Sequence, residues 1–124
     1  MTAAIGQETV GRYAAAWVEP DATARRALLD SCWADDGEYC DPASRVTGRQ
    51  ALSDLIGAFQ DRQPGARIEP TSGVDEHDGF VRFTWRMVAA DGSTASEGID
   101  FGELDGAGRL RRIVGFFGRP PEPG

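Results

Sequence analysis

The sequence predicts an α+β fold in which three N-terminal helices pack on a curved, mainly antiparallel sheet. Before Gly65 most apolar residues recur with a helical period, whereas after it they recur with a period of two, as in strands. Aspartate-glycine pairs at 78–79, 91–92 and 105–106 separate the later segments and predict hairpins. Because a sheet that curves around a long helix leaves a conical cavity, we expect a cone-shaped α+β barrel that encloses an apolar pocket.

The first two helices are predicted from apolar spacing and from their ends. The residues at i, i+3, i+4 and i+7 of the first helix are Val10, Tyr13, Ala14 and Trp17. They share one face of a helix that Pro20 ends, so Tyr13 points inward. Asp21 is a typical N-cap for a second helix that runs through Cys32. Its inner face is predicted to contain Ala24, Ala27, Leu28 and Ser31, with Arg25 and Arg26 outside.

A short strand and a third helix follow. Residues 37–41 favour a strand that Pro42 ends, because proline cannot donate a backbone hydrogen bond to a sheet. Thr47 and Gln50 have the spacing of a capping box at the start of the third helix. Its apolar stripe is Ala51, Leu52, Leu55, Ile56 and Phe59. Residues 63–65, Gln-Pro-Gly, end this helix.

Four extended segments complete the domain. In the second segment, apolar residues at 81, 83, 85 and 87 alternate with Arg82, Thr84 and Arg86, which predicts one face toward the core and one toward solvent. This outer face is free to form a homodimer. We expect a single domain over residues 1–118, followed by a short Pro-rich tail at 119–124.

Three polar residues occupy positions that the apolar pattern directs inward: Tyr13 in the first helix, Asp41 at a strand end, and Asp100 between Ile99 and Phe101. A buried carboxylate without a partner costs several kcal/mol, so two such acids beside a phenol indicate a functional pocket. The predicted apolar walls, which suit a small ring-containing ligand, are Trp17, Trp33, Phe59, Phe83, Trp85, Met87 and Phe117.

Composition excludes several classes of partner. The net charge of −7 and the lack of a basic stripe argue against binding to nucleic acid or to anionic membrane surfaces. No run of apolar residues is long enough to span a bilayer, and no N-terminal leader is recognisable, so a cytoplasmic location is expected. We expect neither a metal site nor a cofactor, because His77 and its acidic neighbours lie in a solvated turn without metal-loop spacing.

Three strings, in this order, resemble the nuclear transport factor two-like superfamily, specifically its SnoaL-like and ketosteroid isomerase-like members. They are Gly-Arg-Tyr at 11–13, Trp-Ala-Asp-Asp at 33–36 leading into Cys-Asp-Pro at 40–42, and Ile-Asp-Phe at 99–101 leading into Asp-Gly-Ala-Gly-Arg at 105–109. The resemblance spans nearly the whole chain. It implies that Tyr13 is an oxyanion-hole phenol, that Asp41 is the general base, and that Asp100 stays protonated as the second oxyanion donor.

The same resemblance leaves several activities open. One cavity serves isomerases, polyketide cyclases, epoxide hydrolases, dehydratases and proteins that only bind ligands, so fold does not settle function. Proton transfer next to a carbonyl, as an isomerase or a cyclase, is the leading hypothesis, and a carrier of a small hydrophobic molecule is the alternative. Epoxide opening would need a relay arginine, and Arg86 and Arg112 alternate away from the cavity. Tyr13 as a core tyrosine and Asp41 as a turn former are the structural alternatives.

Overall fold

The computed structural model describes residues 2–124. Its three helices are α1 (Thr2–Val18), α2 (Ala22–Cys32) and α3 (Arg49–Arg62). Its strands are β1 (Trp33–Asp41), β2 (Ser44–Thr47), β3 (Arg67–Pro70), β4 (Asp75–His77), β5 (Phe80–Val88), β6 (Thr94–Leu104) and β7 (Leu110–Phe117). The predicted α+β class is confirmed.

The strands form one curved sheet that does not close. Its order is β2-β1-β7-β6-β5-β3, and β4 pairs with the same strand, β5, as β3 does. Every pairing is antiparallel except that of β1 with β7, which is parallel. The sheet is therefore mixed, and this single parallel pairing places the end of β1 beside β7, whose other neighbour is β6.

The core lies between the helices and the concave face of the sheet. Residues that are completely buried come from both layers: Leu29, Leu52, Ile56, Leu110 and Ile113. Removal of these side chains from water stabilises the fold by about 25 cal/mol per Å² of buried apolar surface. The helices therefore cover one face of the sheet, and the other face stays open.

The predicted inner face of α2 is wrong in part, although Leu28 packs against the core as expected. Ala27 and Ser31 are exposed, and Arg25, which was expected outside, is only 5% exposed. The Arg25 guanidinium is stabilised by four acceptors: the carbonyls of Glu19, Pro20 and Ser53 and the side chain of Gln60. An arginine with all of these partners can be buried. The buried stripe therefore runs through Arg25, Leu29 and Cys32.

The predicted capping box of α3 is also wrong, whereas the cap of α2 is confirmed. Asp21 accepts a hydrogen bond from the amide of Ala24 at 2.8 Å. The N-cap of α3 is Gly48, with φ of 94° and no side-chain hydrogen bond. Thr47 instead pairs with Glu38 across β1 and β2, a strand that the sequence did not predict. Pairing with β1 therefore outcompetes the local cap.

The hairpins after Gly65 are confirmed, with one addition. The first predicted segment divides into β3 and β4, which pair with successive parts of β5. The β5-β6 and β6-β7 pairs are antiparallel, as the aspartate-glycine turns predict. On β5, Val81 and Phe83 are buried, whereas Arg82 and Arg86 are exposed.

No helix in the described part of the chain is long and apolar enough to cross a bilayer.

Candidate functional site

A cavity of about 240 Å³ opens between α1, α3 and the concave face of the sheet. Its apolar lining includes every predicted wall residue except Trp33. Its polar and charged lining consists of Tyr13, Tyr39, Asp41, Ser44, Arg62, Ser96 and Asp100. The volume lies below the roughly 300–1,000 Å³ of pockets for drug-sized ligands, so a small ring-containing molecule matches it best.

Trp33 was predicted to be a cavity wall, and this prediction is wrong. It is the first residue of β1, it is completely buried, and its ring stacks on Tyr13 with centroids 5.6 Å apart. The indole also covers Gly37, where a Cβ atom would collide with it. Trp33 thus packs against one face of the Tyr13 ring. Phe83 packs edge-on against the same ring, with centroids 6.4 Å apart.

The three predicted polar residues all line this cavity. Tyr13 is 2% exposed and Asp100 is 7% exposed, whereas Asp41 is partly exposed. Helix α1 supplies the phenol, the end of β1 supplies Asp41, and the middle of β6 supplies Asp100. Residues that are far apart in the chain therefore converge on one space.

Strand register explains why the two acids are close. Asp100 on β6 pairs with Gly115 on β7, and Cys40 on β1 pairs with Val114, which puts Asp41 beside Gly115. A Cβ atom on residue 115 would lie 2.8 Å from Asp100 Oδ1 and 3.6 Å from Asp41 Cβ. The absence of a side chain at this glycine leaves space for both acids.

Asp100 is held in a mostly apolar environment. Its Oδ1 accepts a hydrogen bond from Trp85 Nε1 at 3.0 Å. The Trp85 indole reaches it by lying over Gly98, where a Cβ atom would collide with the ring. Burial, with a smaller contribution from the charge of Asp41, raises the pKa of Asp100 from 3.8 to about 7, and the Trp85 hydrogen bond opposes this change. Near neutral pH, Asp100 can therefore carry a proton and donate it in a hydrogen bond.

Tyr13 remains a phenol over the same range. Burial, followed by the nearby charge of Asp100, holds the pKa of Tyr13 well above its ordinary value of 10.0. A buried phenol usually finds an acceptor for its hydroxyl proton. Because Tyr13 and Asp100 line the same cavity, a ligand oxygen can serve as the acceptor for both.

Asp41 has two hydrogen-bond donors, one of which the sequence analysis missed. The Tyr39 hydroxyl donates to Asp41 Oδ2 at 2.6 Å, and the Ala43 amide donates to Oδ1 at 2.8 Å. Burial, followed by the hydrogen bond to Asp41, raises the pKa of Tyr39, so this group stays a donor. Residues two apart on a strand share a face, and this rule could have linked Tyr39 with Asp41.

The arginines expected for an epoxide relay and the single histidine lie away from the cavity. Arg86 pairs with Glu69, and Arg112 pairs with Glu38 and Glu103, so neither reaches the two cavity acids. His77 is exposed beside Asp78. Within residues that the structure describes, no cluster of three or more histidine, cysteine or acidic side chains has a metal-binding arrangement.

Comparison with known proteins identifies the family of this chain. The SnoaL-like domain family matches residues 10–113. A solved structure from Agrobacterium tumefaciens, named as a candidate isomerase of the SnoaL-like family, is 34% identical, with 96% of this chain and 100% of that chain covered and a TM-score of 0.88. No curated protein matches the chain.

More distant structures share the fold alone. A nuclear transport factor two-like protein of unknown function from an Exiguobacterium species is 18% identical, covers 90% of this chain and 99% of its own, and has a TM-score of 0.71. A candidate polyketide cyclase from Sinorhizobium meliloti is 16% identical, covers 87% of this chain and 93% of its own, and has a TM-score of 0.69. The family match over residues 10–113 shows that this chain belongs to the SnoaL-like family, and its fold is similar to that of nuclear transport factor two-like proteins.

Proposed function

We propose that the protein catalyses proton transfer at the carbon next to a carbonyl group in a small cyclic substrate, with isomerisation or cyclisation as the outcome. The convergence of Tyr13, Asp41 and Asp100 on one apolar cavity carries this proposal. The activities named for the Agrobacterium and Sinorhizobium proteins, isomerase and polyketide cyclase, are consistent with it. Both reactions can proceed through an enolate.

In the proposed reaction Asp41 acts as the base. Its carboxylate removes a proton from the α-carbon, the electron pair of that carbon-hydrogen bond forms the carbon-carbon double bond of the enolate, and the π pair of the carbonyl moves to its oxygen. In an isomerisation Asp41 then delivers the proton to a different carbon of the conjugated enolate. In a cyclisation the enolate carbon attacks a second carbonyl carbon, the π bond of that carbonyl breaks, and its oxygen takes the proton from Asp41. Tyr39 and Ala43 fix the orientation of the carboxylate, so that little reorganisation precedes the transfer.

Tyr13 and Asp100 stabilise the enolate oxygen. Trp85 occupies Asp100 Oδ1, so the acidic proton of Asp100 is assigned to Oδ2, which has no hydrogen-bond partner among the described residues. Two donors that are fixed in an apolar site stabilise developing charge more than water does, and loss of one such donor typically costs about 3 kcal/mol of barrier.

The alternative function is that of a carrier, which would hold a small hydrophobic molecule without chemistry. The aromatic walls of the cavity favour this function as much as they favour an enzyme. The two hypotheses differ in proton exchange, because a carrier has no need to remove a carbon-bound proton.

Deuterium exchange separates the two hypotheses. Cyclohexanone and 1-tetralone are incubated with the protein in deuterated water, and α-deuteration is followed by mass spectrometry. The enzyme hypothesis predicts exchange above the uncatalysed rate, with a loss of about a hundredfold or more in Asp41→Asn. Asp36→Asn, an exposed change on the same strand, is the matched control and should exchange at the native rate.

Exchange that is equal in the native protein and in Asp41→Asn would remove Asp41 from the mechanism. Binding of these ketones with no exchange at all would favour the carrier. Both outcomes are independent of the product that the physiological substrate forms.

We also propose a homodimer through the outer face of the sheet. Phe101 and Phe116 lie on that face as an exposed edge-to-face pair, with centroids 6.0 Å apart, and are 42% and 54% exposed. Arg82 and Arg86 are exposed, positively charged residues on the same face. A contiguous apolar patch with a charged rim is typical of a protein interface.

The cytoplasmic location and the lack of nucleic-acid or membrane partners stay predictions.

A further inference from the structure

Arg62 is a cation at the mouth of the cavity. It lies in the last turn of α3 and belongs to the cavity lining, yet it is exposed, whereas Tyr13 and Asp100 of the same lining are buried. Leu55, Phe59 and Arg62 follow one face of α3 at i, i+4 and i+7, and all three line the cavity. The helix rises about 10 Å between the first and the last of them. The cavity thus has buried hydrogen-bonding groups, aromatic walls and an exposed cation, which we place at its mouth.

Arg62 differs from most arginines of this chain in having no carboxylate partner. All 13 basic residues are arginines. Those that form ion pairs with aspartate or glutamate are Arg26, Arg45, Arg49, Arg67, Arg82, Arg86, Arg111 and Arg112. Arg62 makes no ion pair or side-chain hydrogen bond with a residue that the structure describes, although the chain carries a net charge of −7.

The remaining charges in the cavity restrict where an anionic ligand group can lie. Asp41 and Asp100 are the acidic residues of the lining, and both lie beside Gly115. A carboxylate of a ligand would be repelled by the Asp41 carboxylate. Arg62 is the cation of the described lining, so it marks the place where an anionic group is favoured.

We propose that Arg62 binds a carboxylate on the substrate, which is therefore a cyclic ketone that also carries an acid group, with its ring between the aromatic walls. This inference rests on the proposed function, because it assigns the ketone oxygen to Tyr13 and Asp100. Arginine presents a planar set of donors that matches a carboxylate. Because Arg62 is exposed, its ion pair with the carboxylate should strengthen binding of the ligand by only about 1 kcal/mol, or about fivefold in affinity.

A pair of probes that differ only in the acid group tests this assignment. 2-Naphthol and 6-hydroxy-2-naphthoic acid share a ring and a hydroxyl, and near pH 6 the phenols are neutral while the carboxyl group is ionised. Binding is followed by quenching of tryptophan fluorescence, since Trp17 and Trp85 line the cavity. The native protein should bind the acid about fivefold more tightly, and this preference should shrink as salt rises.

Two variants of Arg62 test whether this residue causes the preference for the acid over 2-naphthol. Arg62→Gln should bind both probes equally and keep the native affinity for 2-naphthol, whereas Arg62→Lys should keep part of the preference. Arg67→Gln is the matched control, because Arg67 is an exposed arginine on β3 that lies outside the lining. It should keep the full preference.

Equal affinity of the native protein for the two probes, failure of the acid to bind, or a preference that persists in Arg62→Gln would overturn the assignment. Arg62 also lies where a cation stabilises the end of a helix. If that were its only role, Arg62→Gln would lower the melting temperature and weaken both probes alike. Because the readout is binding, a failure here is distinct from the absence of proton exchange, which would reject the proposed function.

Discussion

Asp41 and Asp100 flank the same backbone position, Gly115 of β7, from the two neighbouring strands. A methyl group at that position would lie 2.8 Å from Asp100 Oδ1 and 3.6 Å from Asp41 Cβ. Contacts between real Cβ atoms and their neighbours are essentially never shorter than 3.0 Å, so Asp100 would have to move. The spacing of the two acids depends on this glycine.

Gly115→Ala should therefore destabilise the protein by about 1–3 kcal/mol, as is typical for a methyl group forced into a packed site. It should also reduce α-deuteration of a bound ketone, because displaced Asp100 no longer faces the enolate oxygen. Urea denaturation measures the first effect. Gly11→Ala is the control: it lies in α1 with nothing within 4 Å of its added carbon, and it should be neutral or stabilising. Native stability of Gly115→Ala would contradict the role given to this residue.

The stability of the protein should depend on Asp100 in a defined pH window. Its folded-state pKa of about 7 is higher than its ordinary value of 3.8. The neutral form is therefore favoured by folding, and this contribution is complete below about pH 4 and is lost as the pH rises toward 7 and above. Since each pH unit corresponds to about 1.4 kcal/mol, the loss is on the order of 4 kcal/mol.

Asp100→Asn isolates this effect, because an amide oxygen can still accept from Trp85 and does not ionise. The difference in unfolding free energy between this variant and the native protein should shift in favour of the variant between pH 4 and 8. Chemical denaturation at a series of pH values measures it. A difference that stays constant over this range would mean that Asp100 does not titrate there.

Tyr39 should affect turnover through Asp41. Tyr39→Phe removes the 2.6 Å hydrogen bond to Asp41 and leaves the Ala43 amide as its donor. A less well oriented carboxylate should lower kcat roughly tenfold while the KM changes little, and stability should fall by about 1 kcal/mol. If Tyr39→Phe has no further effect on exchange in an Asp41→Asn background, the two residues act as a unit. Additive losses would show that Tyr39 acts elsewhere.

The proposed dimer depends on the outer sheet face. Phe116→Lys places a charge in the exposed pair with Phe101 and should convert a dimer to a monomer in sedimentation velocity. Val18→Lys, on an apolar residue that is 46% exposed at the end of α1, is the control and should leave the dimer intact. A monomeric native protein at high concentration would reject the dimer.

The sequence predicted the elements whose signals are local. Asp21 as a helix cap and the alternation on β5 needed only neighbouring residues, and both are confirmed. Arg25 and Trp33 were misplaced, because their burial depends on partners from elsewhere in the chain: the Ser53 carbonyl and the Gln60 side chain for the first, and the Tyr13 ring for the second.

The site was predicted only in part for a similar reason. The inward direction of Tyr13 and Asp100 follows from their periodicity. The role of Gly115 depends on β1 lying parallel to β7, and no local pattern specifies that pairing. Arg62 at the cavity mouth could not be inferred either, because an arginine near a helix end is usually solvated.

The most direct test of the account is a crystal structure with 2-naphthol, whose oxygen imitates that of an enolate. We expect this oxygen within about 2.5–3.0 Å of both the Tyr13 hydroxyl and the Asp100 carboxyl group, with the rings between the aromatic walls. A naphthol that lies in the cavity with its oxygen toward the mouth, touching neither residue, would contradict it.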